Sequence, residues 1–218
     1  MNIAALHALI QRAHQHEVST GHLASQMQAH LGQLHASIRL PSEDTQGVLQ
    51  RFVSAYIEQV PELLQAANQV AQEAGIEAQI KPVLKVAEQF FLQPPALMAG
   101  HEGLEGLLDE AYLAHRLVEE VNDRYITHLG APLIPLDTTV ANLIVHQLIG
   151  EPFANQLDEA VQHAVDGMLD DASFAQESVQ AYRERLQSPQ TDAAWQRWPC
   201  LSRQLGVELQ LDETRAAG

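Results

Sequence analysis

The sequence predicts an all-α fold, a single-domain bundle of about eight or nine helices that spans residues 1–218. Apolar residues recur at helical spacing in almost every segment, whereas no segment shows the alternation typical of a strand. Proline and glycine residues separate these segments at short intervals. Aromatic residues make up only 5% of the chain, so we expect a core built mainly from Leu, Val, Ile and Ala.

The N-terminal part predicts two helices. The first covers residues 2–16, where apolar residues recur every three or four positions. Ser19 or Thr20 is a suitable cap for the second helix, because their hydroxyls can accept from the free amides of a first turn. This helix is expected to reach Leu40, where Pro41 stops it.

The middle of the chain predicts two further helices. One starts at Ser42, which is followed by two acidic residues, and ends near Gly75. Pro61 lies inside this apolar pattern, so we expect a kink or a break there. The next helix runs from Pro82, a residue suited to a first turn, to about Leu92.

The remaining helices follow from glycine and proline boundaries. A long amphipathic helix covers residues 103–129, and a short, almost wholly apolar helix covers 138–149. Two more are expected at 151–168 and 173–186. Residues 188–218 form a weakly patterned C-terminal segment, the last few of which are expected to be disordered.

The charge of the chain limits the classes of partner that it can bind. Its 28 acidic and 12 basic residues give a formal net charge of −16. Such a chain is a poor ligand for nucleic acid phosphates and for anionic membranes, both of which require basic patches. The charge is typical of a soluble protein surface, and it can also attract a basic protein partner.

The sequence indicates a cytoplasmic protein. Cys200 is the single cysteine, so an internal disulfide is excluded and a reducing compartment is expected. The N-terminus lacks the pattern of a secretory signal, and no stretch has the roughly 18 apolar residues of a membrane span.

The long helix and its neighbour carry candidate metal ligands. His115 and Glu119 have the i, i+4 spacing that places both side chains on one helical face. His101, four residues before a glutamate, lies towards the edge of the same helix, and His146 lies in the short apolar helix. Imidazole and carboxylate ligands together would suit iron or zinc.

The same region also has interpretations without a metal, among them acid–base catalysis by His115. His115 can be a core histidine whose nitrogens bond a carbonyl, a carboxylate or water. Alternatively, Asn122, Leu133 and Ile134 can line a pocket for a small apolar ligand, with His115 and His146 as its polar groups. The proline-flanked loop that contains Leu133 and Ile134 can equally plug one end of the core.

Three functions follow from these patterns. Because no complete catalytic motif is present, the sequence favours a non-catalytic helical protein that acts by protein–protein interaction, with a homodimer as one form. The first alternative is a metal-dependent helical-bundle enzyme that uses His115, Glu119 and His146 with iron or zinc. The second is a binder of a small apolar ligand in the bundle core.

Overall fold

The fold is all-α, as the sequence predicts. The structure, a computed structural model, describes residues 1–35, 38–74, 77–98, 103–134, 138–186, 189 and 208–209. These residues contain nine α-helices, one short 3-10 turn and two strands of two residues each. The helices are α1 (Ile3–Thr20), α2 (His22–Leu31), α3 (Thr45–Ala74), α4 (Glu77–Leu92), α5 (Gly103–Leu129), α6 (Thr139–Ile149), α7 (Glu151–Asp166), α8 (Asp171–Phe174) and α9 (Glu177–Leu186).

Helix α5 is the central element of the bundle. It packs against α1, α3, α4, α6 and α7, so most of its residues are buried. Burial extends to charged groups, since Glu120 is only 8% exposed. A buried charge is costly unless it is paired, and Glu120 accepts a hydrogen bond from Nε of Arg124 at 2.9 Å. The central position of α5 therefore requires polar partners within the bundle.

One cluster of buried apolar side chains extends through all nine helices. Its largest members are aromatic, as in the edge-to-face pair of Tyr125 and Phe174, whose ring centroids lie 5.0 Å apart. Each large apolar side chain removed from water stabilises the fold by roughly 1.5–3 kcal/mol. This shared core fixes the spacing of α5, α6 and α7, between which an open pocket lies.

The junction of α1 and α2 differs from the prediction. The hydroxyls of Ser19 and Thr20 donate to the main-chain oxygen of His16, at 2.7 and 2.9 Å. They therefore close the last turn of α1 and do not cap α2. Gly21, with a φ of 60°, separates the two helices in a conformation that glycine adopts without strain.

The predicted extension of the second helix to Leu40 is wrong. Helix α2 ends at Leu31, and residues 38–39 form a strand, β1 (Ile38–Arg39). This strand pairs antiparallel with β2 (Glu208–Leu209), so that Ile38 lies opposite Leu209. A pairing partner so distant in sequence leaves no local pattern, and the apolar stripe of α2 continues into β1 by coincidence of spacing.

Pro61 and Pro82 lie beyond the first turn of their helices and are tolerated there. Helix α3 continues through Pro61 to Ala74, so the chain does not break there. Helix α4 begins at Glu77, several residues before the predicted start at Pro82. Proline removes one amide donor from a helix, and both α3 and α4 keep their apolar faces in the core.

The helix predicted at residues 173–186 is divided in two. Helix α8 ends at Phe174, and α9 begins at Glu177. Asp170 and Ser173 form a capping box at the start of α8, with the Ser173 amide donating to Oδ1 of Asp170 at 2.8 Å. The main-chain oxygen of Phe174 accepts from Nε2 of Gln180, which satisfies the end of α8.

The C-terminal predictions fall largely outside the described residues. Cys200 and residues 190–207 lie there, as do residues 210–218. Among the helices that the structure does describe, none combines the length and apolar character required to cross a membrane.

Candidate functional site

An open pocket of about 350 Å³ lies between α5, α6 and α7. We name it the Arg116 pocket. Helix α5 lines it with Tyr112, Arg116 and Glu119, whose i, i+4, i+7 spacing places them on one face. The rest of the lining comes from α6 and α7: Thr139, Asn142, Leu143, His146, Gln147 and Asp158.

Arg116 joins two carboxylates in this pocket. Its Nη1 donates to Oε2 of Glu119 at 2.6 Å, and its Nε donates to Oδ1 of Asp158 at 2.9 Å. Burial alone would lower the pKa of the guanidinium, but these two partners raise that pKa above its ordinary value. Arg116 therefore remains a cation that fixes both carboxylates.

A buried tyrosine supports the Glu119 side of the pocket. The Tyr56 hydroxyl donates to Oδ1 of Asn142 at 2.7 Å, and Nδ2 of Asn142 donates to Oε2 of Glu119 at 2.5 Å. Burial raises the pKa of Tyr56 well above its ordinary value, so its hydroxyl keeps its proton. These two hydrogen bonds, one accepted by Oδ1 and one donated by Nδ2, fix the orientation of the Asn142 amide.

Asp158 organises the opposite side. Its Oδ1 accepts a hydrogen bond from the Tyr112 hydroxyl at 3.0 Å in addition to the one from Arg116. Nε2 of His146 lies 3.7 Å from Oδ2 of Asp158 and 3.2 Å from Oδ1 of Asn155. Burial and the Asp158 carboxylate raise the pKa of Tyr112, which keeps that hydroxyl a donor.

The pocket retains an excess of negative charge. The carboxylates of Glu119 and Asp158 outnumber the single guanidinium, which leaves one formal negative charge when His146 is neutral. Within the part of the chain that the structure describes, neither Oε1 of Glu119 nor Oδ2 of Asp158 accepts a hydrogen bond. Side-chain exposures of 14% and 28% leave both groups within reach of a ligand.

The predicted metal ligands occupy different environments. Glu119 and His146 line the Arg116 pocket. His115 lies behind its wall, where its ring packs on that of Tyr56 with centroids 4.2 Å apart. Its Nε2 donates to the main-chain oxygen of Tyr56 at 3.1 Å, because a carbonyl can only accept. His101 lies outside the described residues.

His115 has the surroundings of a core histidine. It is 1% exposed, and burial lowers its pKa to about 4, so the ring is neutral at physiological pH. Its Nδ1 is buried and takes no hydrogen bond. The described residues contain no group of three or more His, Cys, Asp or Glu side chains that could hold a metal ion. An iron or zinc site remains a prediction of the sequence.

The predicted apolar pocket coincides with packed core. Oδ1 of Asn122 accepts from the Ile134 amide at 2.8 Å, and its Nδ2 donates to the Ile134 carbonyl. The Tyr182 hydroxyl donates to the main-chain oxygen of Leu133 at 2.6 Å. Leu133 and Ile134 are each 1% exposed. This geometry is that of a loop that plugs the core, and a ligand-lining role for these residues stays a prediction.

Exposed apolar side chains are scattered over the described surface. The large ones are Met1, Val18, Ile126 and Leu143, of which Val18 is 90% exposed. Single exposed apolar residues are normal on monomeric proteins, whereas interfaces show contiguous patches. Association with a protein partner, or with a second copy of the chain, therefore stays a prediction.

Sequence reasoning missed most of the residues that shape the Arg116 pocket. Arg116 and Asp158 resemble ordinary charges on the solvated faces of α5 and α7, and only the tertiary structure brings them together. The i, i+4, i+7 spacing of Tyr112, Arg116 and Glu119 is the one local signal of a shared face.

Comparison with known proteins finds no matching family model, no matching curated protein and no matching solved structure.

Proposed function

We propose that the protein binds a small ligand that carries a protonated amine, and that the ligand occupies the Arg116 pocket. The observation that carries this proposal is the sharing of one guanidinium by two carboxylates, Glu119 and Asp158. Each carboxylate keeps one oxygen with which it can accept a hydrogen bond from an ammonium group. Charge-assisted hydrogen bonds of this kind are roughly twice as strong as neutral ones.

The net charge of the whole chain also favours binding of a protonated amine. A net charge of −16 raises the local concentration of cations near the surface and speeds their encounter with a partly enclosed negative site. The effect weakens as salt screens charges beyond roughly 10 Å at 0.1 M ionic strength. Binding of an amine should therefore weaken as salt concentration rises.

The pocket is also preorganised. Tyr56 and Tyr112 hold Asn142 and Asp158 from the buried side, so these groups need little reorganisation when a ligand arrives. Leu143, 47% exposed at the edge of the pocket, offers an apolar contact for methylene groups. The best ligand on this account has an amine at one end and a short alkyl chain.

Three probes of matched length test the proposed ligand class. Isothermal titration with 1,4-diaminobutane, butane-1,4-diol and butanedioate at low ionic strength compares a cation, a neutral polar molecule and an anion. We expect saturable binding of the diamine and at least about tenfold weaker binding of the other two. Preferred binding of butanedioate would contradict the proposal.

A pair of adjacent residues supplies the variant and its control. Asp158→Asn removes one negative charge from the pocket and should weaken diamine binding by about tenfold. Glu159→Gln removes an equal charge from the next residue of α7, which is exposed and does not line the pocket. If both variants weaken binding equally, net charge rather than the pocket attracts the diamine.

A further inference from the structure

The imidazole of His146 lies between two hydrogen-bond acceptors at the border of the Arg116 pocket. Its Nε2 is 3.2 Å from Oδ1 of Asn155 and 3.7 Å from Oδ2 of Asp158. Both acceptors belong to α7, where their i, i+3 spacing places them on one face. Asp158 lines the pocket, whereas Asn155 does not. The imidazole therefore joins a pocket residue to an exposed residue beside the pocket.

The turn between α6 and α7 makes this contact possible. Gly150 separates the two helices with a φ of 94°, a conformation that favours glycine. Helices α6 and α7 pack directly against each other, which brings His146 and Asn155, nine residues apart in sequence, to hydrogen-bond distance. The position of His146 between its two acceptors therefore follows from the way α6 turns into α7.

A single N–H group cannot satisfy both acceptors. An amide oxygen only accepts, so Nε2 donates to Asn155 and carries the ring proton of the neutral imidazole. A carboxylate is the stronger acceptor, since charge-assisted hydrogen bonds are roughly twice as strong as neutral ones. The contact with Asn155 therefore keeps the N–H from Oδ2 of Asp158. Among the described residues, that oxygen accepts no hydrogen bond, and it is one of the two that the proposed ammonium ligand uses.

We propose that Asn155 is a positioning residue for amine binding in the Arg116 pocket, because it holds the N–H of His146 away from Oδ2 of Asp158. This role rests on the proposed function, since it has meaning only where a ligand uses that oxygen. Without the Asn155 acceptor, Nε2 moves towards Asp158 and donates to Oδ2, and the ligand must then displace it. Loss of Asn155 thus weakens amine binding, although Asn155 itself touches no ligand.

Titration with 1,4-diaminobutane at pH 8, where an ordinary imidazole is neutral, tests the role of Asn155. Asn155→Ala removes the acceptor from an exposed position of α7 and should weaken binding by about fivefold, the equivalent of one hydrogen bond. Asn155→Asp keeps an oxygen acceptor at the same place and should bind the diamine at least as tightly as the parent protein. Gln156→Ala, at the next exposed position and outside the pocket, is the matched control and should leave the affinity unchanged.

A double-mutant cycle with His146→Phe separates positioning from a merely structural effect. Phenylalanine keeps a ring at position 146 but has no N–H to donate to Asp158. In the His146→Phe background, Asn155→Ala should therefore change diamine affinity by less than about twofold, whatever His146→Phe does by itself. A fivefold loss of affinity in both backgrounds would overturn the role of Asn155.

The outcomes distinguish this role from the function on which it depends. Saturable binding by the parent protein, with equal affinity in Asn155→Ala, would overturn the role of Asn155 alone. No saturable binding by the parent protein up to about 10 mM diamine would overturn the proposed function and this role together. A loss of affinity in Asn155→Ala that requires His146 is the result that supports the role.

Discussion

Nε of Arg116 donates to Oδ1 of Asp158 at 2.9 Å and so links α5 to α7 across 42 residues of sequence. The same guanidinium bonds Glu119 one turn along its own helix. Removing one member of a partly buried pair leaves the other charge uncompensated, which costs more than the pair contributes. The Arg116–Asp158 contact thus positions the pocket and also couples its charge to the stability of the bundle.

The hydrogen bond between Tyr56 and Asn142 gives a first prediction. Tyr56→Phe leaves Oδ1 of Asn142 buried without its donor and should lower the free energy of unfolding by about 1–3 kcal/mol. Tyr125→Phe is the matched control, since the Tyr125 hydroxyl is buried without any partner. That substitution should be neutral or stabilising in the same urea titration. Equal losses of unfolding free energy in the two variants would show that the Tyr56 hydrogen bond does not stabilise the fold.

Glycine boundaries predict two helix ends correctly, whereas the cap expected at Ser19 or Thr20 and the start expected at Pro82 are wrong. Gly130 and Gly150 follow α5 and α6 with φ values of 75° and 94°, and both helices end where expected. The end of α2 could not be predicted, because β1 pairs with a strand about 170 residues away. Local sequence propensity cannot reveal a pairing partner that lies so far away in the chain.

The candidate site could be predicted only in part. Glu119 and His146 are two of the metal ligands that the sequence predicts, and both line the pocket. Arg116 and Asp158 were missed, because a charge on an amphipathic helix has the same local pattern whether it faces water or a neighbouring helix. Their meeting depends on how α5 and α7 cross, which the 3.6-residue period of either helix leaves undetermined.

Burial of His115 predicts a loss of stability in acid. Its pKa is about 4 in the folded protein and 6.5 for the ordinary group, so the unfolded chain binds more protons between these values. Stability therefore falls as pH drops from 6.5 towards 4, by about 2 kcal/mol from this residue between pH 6.5 and 4.5. His115→Gln should reduce the loss measured by urea unfolding at these two pH values. The exposed His163→Gln should retain the full loss; an unchanged loss in His115→Gln would contradict the account.

The raised pKa of Glu110 predicts the opposite dependence of stability on pH. Its pKa is raised from 4.5 to about 8 on folding, so the folded protein binds more protons than the unfolded chain between these values. Stability is therefore lost as pH rises through this window. Allowing for partial exposure, Glu110→Gln should stabilise the protein at pH 8 relative to pH 5 by about 2 kcal/mol. The exposed Glu159→Gln, measured by the same unfolding titration, should show no such gain.

The Asn122 side chain gives a prediction about the loop before α6. Asn122→Leu leaves the amide and carbonyl of Ile134 without partners in the core and should cost about 2–4 kcal/mol of unfolding free energy. Tyr182→Phe removes a single hydrogen bond to Leu133 and should cost about 1 kcal/mol. If Asn122→Leu were instead neutral, the bonds to Ile134 would not stabilise the fold. If the same substitution also abolished a rise in melting temperature caused by an apolar ligand, Asn122 would act as a ligand-binding residue.

The most direct test of the proposed function places a competing cation in the pocket. Leu143→Lys adds an ammonium group at the edge of the Arg116 pocket, from a residue that is 47% exposed and so tolerates substitution. Ile126→Lys adds the same charge at a position that is 46% exposed and outside the pocket. Titration of both variants with 1,4-diaminobutane should show about tenfold weaker binding for Leu143→Lys and nearly parental binding for Ile126→Lys. Equal affinities in the two variants would contradict a binding site for amines in the Arg116 pocket.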